Sequence, residues 1–299
     1  MPNERRTPPA MAQANGITLC HDSFGDPTAP PLLLIMGLGG QMIAWDDMFC
    51  TQLAGRGYRV IRFDNRDIGL STHFADAGVP DVGAAFMASL MGKPVQAPYT
   101  LRDMADDAVG LLDALDIERA HVVGVSMGGA IGQTLAIHHA PRLRTLTSIM
   151  ATTGAPGLPG PTAQAAAMLL KPAPTDRAGY LASYSETWKV LRAGDFPQDE
   201  ARDAARAEQA FDRGLNPAGT ARQLVAIIAS GSRKQALGAV RVPTLVIHGD
   251  ADPLVPLGCG LDTAKSVPAA KLRVVEGMGH ALPISMWPQV IDAIAAHAV

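Results

Sequence analysis

The chain has 299 residues, of which 47% are hydrophobic and 18% are charged, and its formal net charge is −3. This length allows one large α/β domain or a core that carries a smaller inserted domain. Because there is no excess of basic residues, neither nucleic acid nor an acidic membrane surface is an expected partner.

The three cysteines, Cys20, Cys50 and Cys259, are too few and too scattered for a disulfide framework or a metal-binding spacing. We therefore expect a reducing compartment, the cytoplasm. The sequence as a whole implies neither a metal nor an organic cofactor. Residues 1–14 are polar and lack the apolar segment of a secretory signal. No apolar stretch is long enough to cross a bilayer, so no membrane partner is expected.

The first predicted strands lead into a glycine-rich loop. Residues 16–22 alternate in polarity and predict an edge strand, whereas residues 31–36 are apolar throughout, as in a central parallel strand covered on both faces. Residues 37–40 (Gly-Leu-Gly-Gly) follow directly. This loop is either a tight turn into the next helix or a loop that presents backbone N–H groups to an anion.

The next predicted strand covers residues 58–64, and charged side chains follow it. We expect Asp64, Arg66 and Asp67 to fix this loop by ion pairs and hydrogen bonds rather than to do chemistry. Residues 74–98 show no clear period and predict a loop with a short helix.

A helix is predicted to begin after Thr100, because Asp103 lies at the position that a capping box requires. Its apolar stripe consists of Leu101, Met104, Ala108, Leu111, Leu112 and Leu115.

The central motif of the chain is Gly-x-Ser-x-Gly at residues 124–128, between an apolar strand at residues 121–125 and a helix of small residues. This is the context of a nucleophile elbow, in which glycines avoid clashes and the serine is strained. We therefore predict Ser126 as a nucleophile. The backbone N–H of Met127, at the start of the helix, points to where negative charge would develop.

The composition changes after the predicted strand at residues 143–152. Glycines and prolines punctuate residues 154–161, and helical patterns without a convincing strand continue to residue 236. We predict a core at residues 1–153 and 237–299 and a helical cap at residues 154–236. Five apolar cap residues either line a pocket or form the inner face of helices: Met168, Leu169, Leu170, Trp188 and Phe196.

Strands are predicted again at residues 242–248 and 271–275, and a closing helix carries Val290, Ile291, Ile294 and Ala298 on its apolar face. Strands alternate with helices from residue 31 onward. This order predicts an α/β fold with a mostly parallel sheet and helices on both faces.

Three polar residues, Ser126, Asp252 and His280, each follow a buried strand. Because the carboxyl ends of parallel strands share one edge of a sheet, we expect these side chains to converge. His280 would accept the proton of Ser126, and Asp252 would orient the imidazole. The order serine, acid, histidine along the chain is that of the α/β-hydrolase arrangement.

Two aspartates compete for the role of the acid. We favour Asp252 because Pro253 fixes its backbone, whereas Asp250 directly follows Gly249 as a turn-forming residue would. His248, inside the strand, is expected to be a core histidine.

Four stretches, residues 66–72, 120–128, 242–247 and 277–283, resemble the α/β-hydrolase superfamily, and the resemblance covers nearly all of residues 16–298. Within the superfamily the chain is similar to small serine esterases of the aclacinomycin methylesterase group and to cofactor-free haloperoxidase-like hydrolases. The resemblance implies that the backbone N–H groups of Leu38 and Met127 form an oxyanion hole.

The chain departs from the family pattern at two positions. The family usually has His-Gly before the oxyanion residue, but here the pair is Met36-Gly37, so the hydrogen bonds that the histidine makes to the loop are missing. Asp67 stands where many members have glycine, a feature that the methylesterase-like group shares.

The leading hypothesis is therefore a carboxylic-ester hydrolase that forms an acyl-serine intermediate and acts on small to medium apolar esters. One alternative is a cofactor-free perhydrolase or a carbon–carbon bond hydrolase with the same triad. The other is a ligand receptor on the same fold. The expected partner is a small-molecule ester, and a homodimer is compatible with the sequence. Epoxide hydrolases and haloalkane dehalogenases are disfavoured because they use an aspartate where this chain has Ser126.

Overall fold

The computed structural model describes residues 6–171, 174–193, 196 and 199–299. The first five residues of the predicted polar N-terminus lie outside these ranges. None of the helices in the described part is long and apolar enough to cross a membrane.

The centre of the molecule is an eight-stranded sheet with the order β1-β2-β4-β3-β5-β6-β7-β8. Its strands are β1 (Ala10–Ala14), β2 (Ile17–Phe24), β3 (Pro31–Ile35), β4 (Arg59–Phe63), β5 (Ala120–Val125), β6 (Leu143–Ile149), β7 (Thr244–Gly249) and β8 (Lys271–Val275). The pairs from β4 through β8 are parallel, while β2 runs antiparallel to β1 and β4. The prediction of a mostly parallel sheet is confirmed.

The prediction that residues 16–22 form an edge strand is wrong. This segment belongs to β2, which pairs with β4 on one side and with β1 on the other. The edge is β1, in which Ala12 and Ala14 are buried. Its alanine-rich sequence has a low strand propensity, so pairing with β2 rather than local preference makes it a strand.

Helices cover both faces of the sheet. They are α1 (Asp47–Ala54), α2 (Val82–Leu90), α3 (Leu101–Ala114), α4 (Met127–His138), α5 (Ala163–Leu170), α6 (Arg177–Arg192), α7 (Glu200–Asp212), α8 (Pro217–Ser230), α9 (Lys234–Leu237), α10 (Leu257–Ser266) and α11 (Trp287–His297). The α3 and α4 helices pack on one face, and α1 and α11 pack on the other. Strand β3 contributes Leu33 and Ile35 to the first core and Leu32 and Leu34 to the second, because successive side chains alternate.

Local signals predicted several helices correctly. The short helix expected within residues 74–98 is α2, and α3 begins after Thr100. The backbone N–H of Thr100 donates to Asp103 Oδ2 at 2.7 Å, which completes the predicted capping box. This cap satisfies N–H groups that have no partner inside the helix.

The predicted helical segment after residue 154 contains α5 to α9, and no strand lies among its described residues. Its helical character is therefore confirmed. Helix α9 crosses the predicted boundary at residue 236, and the division into core and cap stays a prediction.

The charged loop after β4 is held by side chains from distant elements. Asp64 pairs with Arg213, Arg66 with Asp107, and Asp67 with Arg222. The role predicted for these residues, fixing the loop, is confirmed. Their partners lie in α3, in α8 and just after α7, and no local pattern in the sequence indicates them.

Candidate active site

Ser126 lies on a sharp turn between β5 and α4. Its backbone has φ 53° and ψ −120°, a strained conformation for a residue with a side chain. A Cβ atom on Gly124 would lie 2.1 Å from the carbonyl oxygen of Gly128, and one on Gly128 would lie 2.1 Å from that of Ile35. Only glycine fits either position, so the motif is required by backbone contacts.

A chain of hydrogen bonds connects Ser126, His280 and Asp252. His280 Nε2 lies 2.9 Å from Ser126 Oγ, and His280 Nδ1 lies 2.8 Å from Asp252 Oδ2. The other carboxylate oxygen of Asp252 accepts the backbone N–H groups of Leu254 and Val255 at 2.9 Å and 2.8 Å. When Nδ1 donates its proton to the carboxylate, Nε2 is free to accept the hydroxyl proton of Ser126.

Asp250 lies outside this chain of hydrogen bonds. Its Oδ1 accepts the backbone N–H of Gly277 at 2.7 Å and braces the loop that carries His280. The nearby His248 is fully buried, and its Nε2 lies 2.7 Å from the carbonyl oxygen of Val255. Burial lowers the pKa of His248, so the neutral imidazole donates this hydrogen bond.

The loop of His280 also rests on the last turn of α6. The backbone N–H of His280 donates to the carbonyl oxygen of Leu191 at 2.7 Å. A Cβ atom on Gly279 would lie 2.0 Å from the carbonyl oxygen of Arg192, so glycine is needed for this close approach. The sequence shows the glycines near His280, but it does not show that Gly279 contacts α6.

The glycine-rich loop after β3 runs against Ser126. A Cβ atom on Gly37 would lie 3.2 Å from Ser126 Cβ, and Leu38 is the next residue. Met127 is the first residue of α4, where backbone N–H groups have no partner within the helix. The backbone N–H groups of Leu38 and Met127 thus belong to two segments that both adjoin Ser126. This arrangement suits an oxyanion hole.

The site opens into a cavity of about 1330 Å³ that is lined by Ser126, His280 and residues of α5 to α8. Helix α6 turns Tyr180, Tyr184 and Trp188 towards it, and the centroids of successive rings are 5.9 Å apart. Of the five apolar residues predicted as either pocket lining or helix packing, four line the cavity: Met168, Leu169, Leu170 and Trp188. Phe196 packs instead against the core beneath α11.

Ion pairs neutralise charged side chains on the wall of the cavity. Asp46 accepts hydrogen bonds from Arg202 at 2.8 Å and from Arg206 at 3.1 Å, and Arg192 pairs with Asp203. These pairs connect α7 to the N-cap of α1 and to α6, and much of the wall is apolar. Within the described residues, no group of three or more His, Cys, Asp or Glu side chains is arranged to hold a metal ion.

The comparisons with known proteins agree with this architecture. A family model described as the alpha/beta hydrolase fold matches residues 30–285. Rhodomycin D methylesterases from Streptomyces sp. (strain C5) and Streptomyces peucetius are each 32% identical to the chain, over 97% of its length and 98% of theirs. The crystal structure of the enol-lactonase from Burkholderia xenovorans LB400 matches with a TM-score of 0.73 at 22% identity, over 96% of this chain and 99% of that chain.

The chain therefore belongs to the α/β-hydrolase family. Within that family it is similar to the rhodomycin D methylesterases over nearly its whole length. The predicted fold, the resemblance to methylesterase-like small esterases and the prediction of a serine hydrolase with esterase activity are confirmed.

Proposed function

We propose that this chain hydrolyses carboxylic esters through an acyl intermediate on Ser126, with His280 as the general base and Asp252 as its acid partner. The observation that carries the proposal is the continuous chain of hydrogen bonds from Asp252 through His280 to Ser126, at the end of an apolar cavity. An activated serine in such a cavity can attack the acyl carbon of an ester.

In the first half of the reaction, Ser126 Oγ bonds to the acyl carbon while its proton moves to His280 Nε2. The carbonyl oxygen becomes an oxyanion, which the backbone N–H groups of Leu38 and Met127 stabilise. The tetrahedral intermediate then expels the alkoxide, which takes the proton from His280 and leaves as the alcohol. Asp252 stabilises the imidazolium that forms between these two steps.

In the second half, His280 takes a proton from a water molecule whose oxygen attacks the acyl-serine. The same two N–H groups stabilise the second oxyanion. When this intermediate collapses, the bond to Ser126 Oγ breaks, the serine regains its proton from His280, and the carboxylic acid leaves.

The size of the cavity extends the expected range of small to medium esters to bulkier ones. A cavity of about 1330 Å³ exceeds what a short acyl chain fills, and the rings of Tyr180, Tyr184 and Trp188 offer flat surfaces for stacking. Two relatives are named as methylesterases. We therefore propose methyl esters of bulky, ring-containing acids as the preferred substrates.

Steady-state kinetics with methyl esters of a three-ring aromatic acid and of acetic acid tests this proposal. About 100 Å² of additional buried apolar surface contributes about 2.5 kcal/mol, or about 70-fold in kcat/KM. We expect the bulky ester to be preferred by about this factor, and Trp188→Leu to lower kcat/KM for the bulky ester alone. Equal kcat/KM values for both esters in the wild type would contradict the assignment of the substrate class.

A carbon–carbon bond hydrolase is the second candidate, because a 2-hydroxymuconate semialdehyde hydrolase from Pseudomonas sp. (strain CF600) is 29% identical over 88% of this chain and 82% of its own. Incubation with a vinylogous 1,5-diketone acid separates the two activities. Cleavage of this compound faster than of any ester would favour the second candidate. The perhydrolase alternative predicts peroxyacid formation from hydrogen peroxide, and the receptor alternative predicts tight binding without turnover.

We also propose that the protein works in the cytoplasm and that its partner is a small-molecule ester. Cys20, Cys50 and Cys259 are all free and buried, which supports the proposed reducing compartment, the cytoplasm. The homodimer stays a prediction, which sedimentation of the purified chain tests directly.

A further inference from the structure

The loop that carries Leu38 is fixed from outside by one buried side chain of α8. Gln223 Oε1 accepts the backbone N–H of Gly39 at 3.0 Å, and Gln223 Nε2 donates to the carbonyl oxygen of Arg66 at 2.8 Å. Gln223 is fully buried. Its amide therefore connects the loop after β3 to the loop after β4, and both of its polar atoms are used.

A backbone hydrogen bond and the bond to Gln223 together determine the orientation of two successive peptide units in the loop. The backbone N–H of Gly40 donates to the carbonyl oxygen of Gly37 at 3.2 Å, which orients the peptide unit between Gly37 and Leu38. In a trans peptide the N–H points opposite to the carbonyl oxygen, so this bond directs the N–H of Leu38 away from the turn. The bond from Gly39 to Gln223 fixes the following peptide unit.

The shape of α8 matches the loop as well. Gly39 has φ +67°, and a Cβ atom there would lie 3.0 Å from Thr220 Cγ2 on the same helix. Only glycine combines this backbone conformation with so close an approach. The loop is therefore held by a hydrogen bond from Gln223 and by contact with Thr220, one helical turn apart.

Helix α8 is itself anchored to the loop after β4. Arg222 makes two hydrogen bonds to the carboxylate of Asp67, at 2.7 Å and 2.8 Å, and Asn216 Nδ2 donates to the carbonyl oxygen of Asp67 at 2.9 Å. The side chains of Arg222 and Asp67 are both buried. A paired, buried arginine and carboxylate with this geometry fix the helix in position and in rotation.

Helix α8 therefore connects the loop after β4 to the loop that carries Leu38. Asp67 stands where many members have glycine, and it anchors the helix through Arg222. Met36 stands where the family usually has a histidine, and Gln223, next to Arg222, supplies a hydrogen bond to the loop. We infer that Gln223 is a positioning residue, which keeps the N–H of Leu38 directed at the oxyanion through its hydrogen bond to the next residue, Gly39; the inference rests on the proposed ester hydrolysis.

Gln223→Met tests the inference, because methionine has a similar volume and makes neither hydrogen bond. Removing one oxyanion donor lowers kcat by about 10²- to 10³-fold, and misdirecting a donor that is still present lowers it by about 10- to 100-fold. We expect that loss in kcat with KM changed by less than about threefold. The affinity for a trifluoromethyl ketone analogue of the substrate falls by the same factor as kcat, while the affinity for the product acid does not change.

Gln133→Met is the matched control. Gln133 is a fully buried glutamine on α4 that accepts a hydrogen bond from Arg233 at 3.1 Å and donates to Ser148 at 3.3 Å. Its replacement lowers Tm but leaves kcat unchanged, since its partners are not part of the loop. An equal loss of kcat in both variants would show a general effect of removing buried hydrogen bonds and would overturn the inference.

A second variant keeps the test valid if Gln223→Met folds poorly. Gln223→Glu retains an acceptor for the N–H of Gly39 and replaces the amide donor to Arg66 with a carboxyl group, so its kcat lies between those of the wild type and the methionine variant. A glutamate variant no more active than the methionine variant contradicts the role of the acceptor. If the wild type hydrolyses the ester and Gln223→Met has the same kcat, only the inference is refuted. If the wild type neither hydrolyses esters nor is labelled at its serine, the proposed function is refuted too.

Discussion

The assignment of the acid is tested by Asp252→Asn. In this variant the side-chain oxygen must still accept the N–H groups of Leu254 and Val255, so the NH₂ group takes the place of Oδ2, 2.8 Å from His280 Nδ1. The NH₂ group donates to Nδ1, which forces the imidazole proton onto Nε2. A protonated Nε2 cannot accept the proton of Ser126, and we expect kcat to fall by about 10³- to 10⁴-fold, or 4 to 5.5 kcal/mol.

Asp250→Asn is the matched control for this prediction. Asp250 Oδ1 accepts the N–H of Gly277 at 2.7 Å, and the amide oxygen of asparagine keeps that bond. We expect kcat to change by less than about tenfold. The assay is steady-state hydrolysis of the best methyl ester, with Tm measured for each variant. Similar losses in the two variants, or a larger one in Asp250→Asn, would refute the assignment of Asp252.

Two further predictions concern the nucleophile and α8. Ser126→Ala lowers ester turnover by about 10³- to 10⁶-fold with Tm unchanged. If an organophosphonate still labels this variant, as judged by intact mass, Ser126 is not the nucleophile. Arg222→Met destabilises the fold by about 3 to 5 kcal/mol near pH 7, because the buried carboxylate of Asp67 loses its charged partner and keeps only hydrogen bonds from neutral groups such as Tyr99 and the backbone N–H of Phe74. Burial opposes the ionisation of Asp67, but the hydrogen bond from Arg222 holds its pKa below the ordinary 3.8. The ion pair of the wild type is therefore stabilising above pH 3.8 and is lost as the pH falls through the lowered pKa. Arg222→Met removes this hydrogen bond, so the carboxyl of Asp67 takes up its proton at a higher pH than in the wild type, and the difference in Tm narrows as the pH falls towards 4. A difference in Tm that stays constant would contradict the ion pair.

The elbow at Ser126 was predictable because its requirements are local. An apolar strand, two glycines and a helix of small residues adjoin in sequence, and the backbone that excludes a Cβ atom on Gly124 is that of Gly128, within the motif itself. The proximity of Asp252 and His280 to Ser126 followed from topology, because the carboxyl ends of β5, β7 and β8 lie on one edge of the parallel sheet. The alternation of strands and helices was sufficient to predict that edge.

Strand β1 was missed for the opposite reason. Its alanines carry little strand preference, and its hydrogen bonds depend on the neighbouring β2. The sequence left open whether Trp188 of α6 lines a pocket or packs between helices. The helical period shows which residues of α6 share a face, but not what that face is turned towards.

The sequence by itself determined the fold class, the parallel sheet and the candidate serine, acid and histidine, because backbone preferences and apolar periodicity act between near neighbours. The tertiary structure decided which distant side chains meet. Arg222 with Asp67, Gln223 with Gly39, and Leu191 with His280 are pairs whose members lie far apart in the chain. Such hydrogen bonds depend on where packed elements bring donors and acceptors together, and no local pattern carries that information.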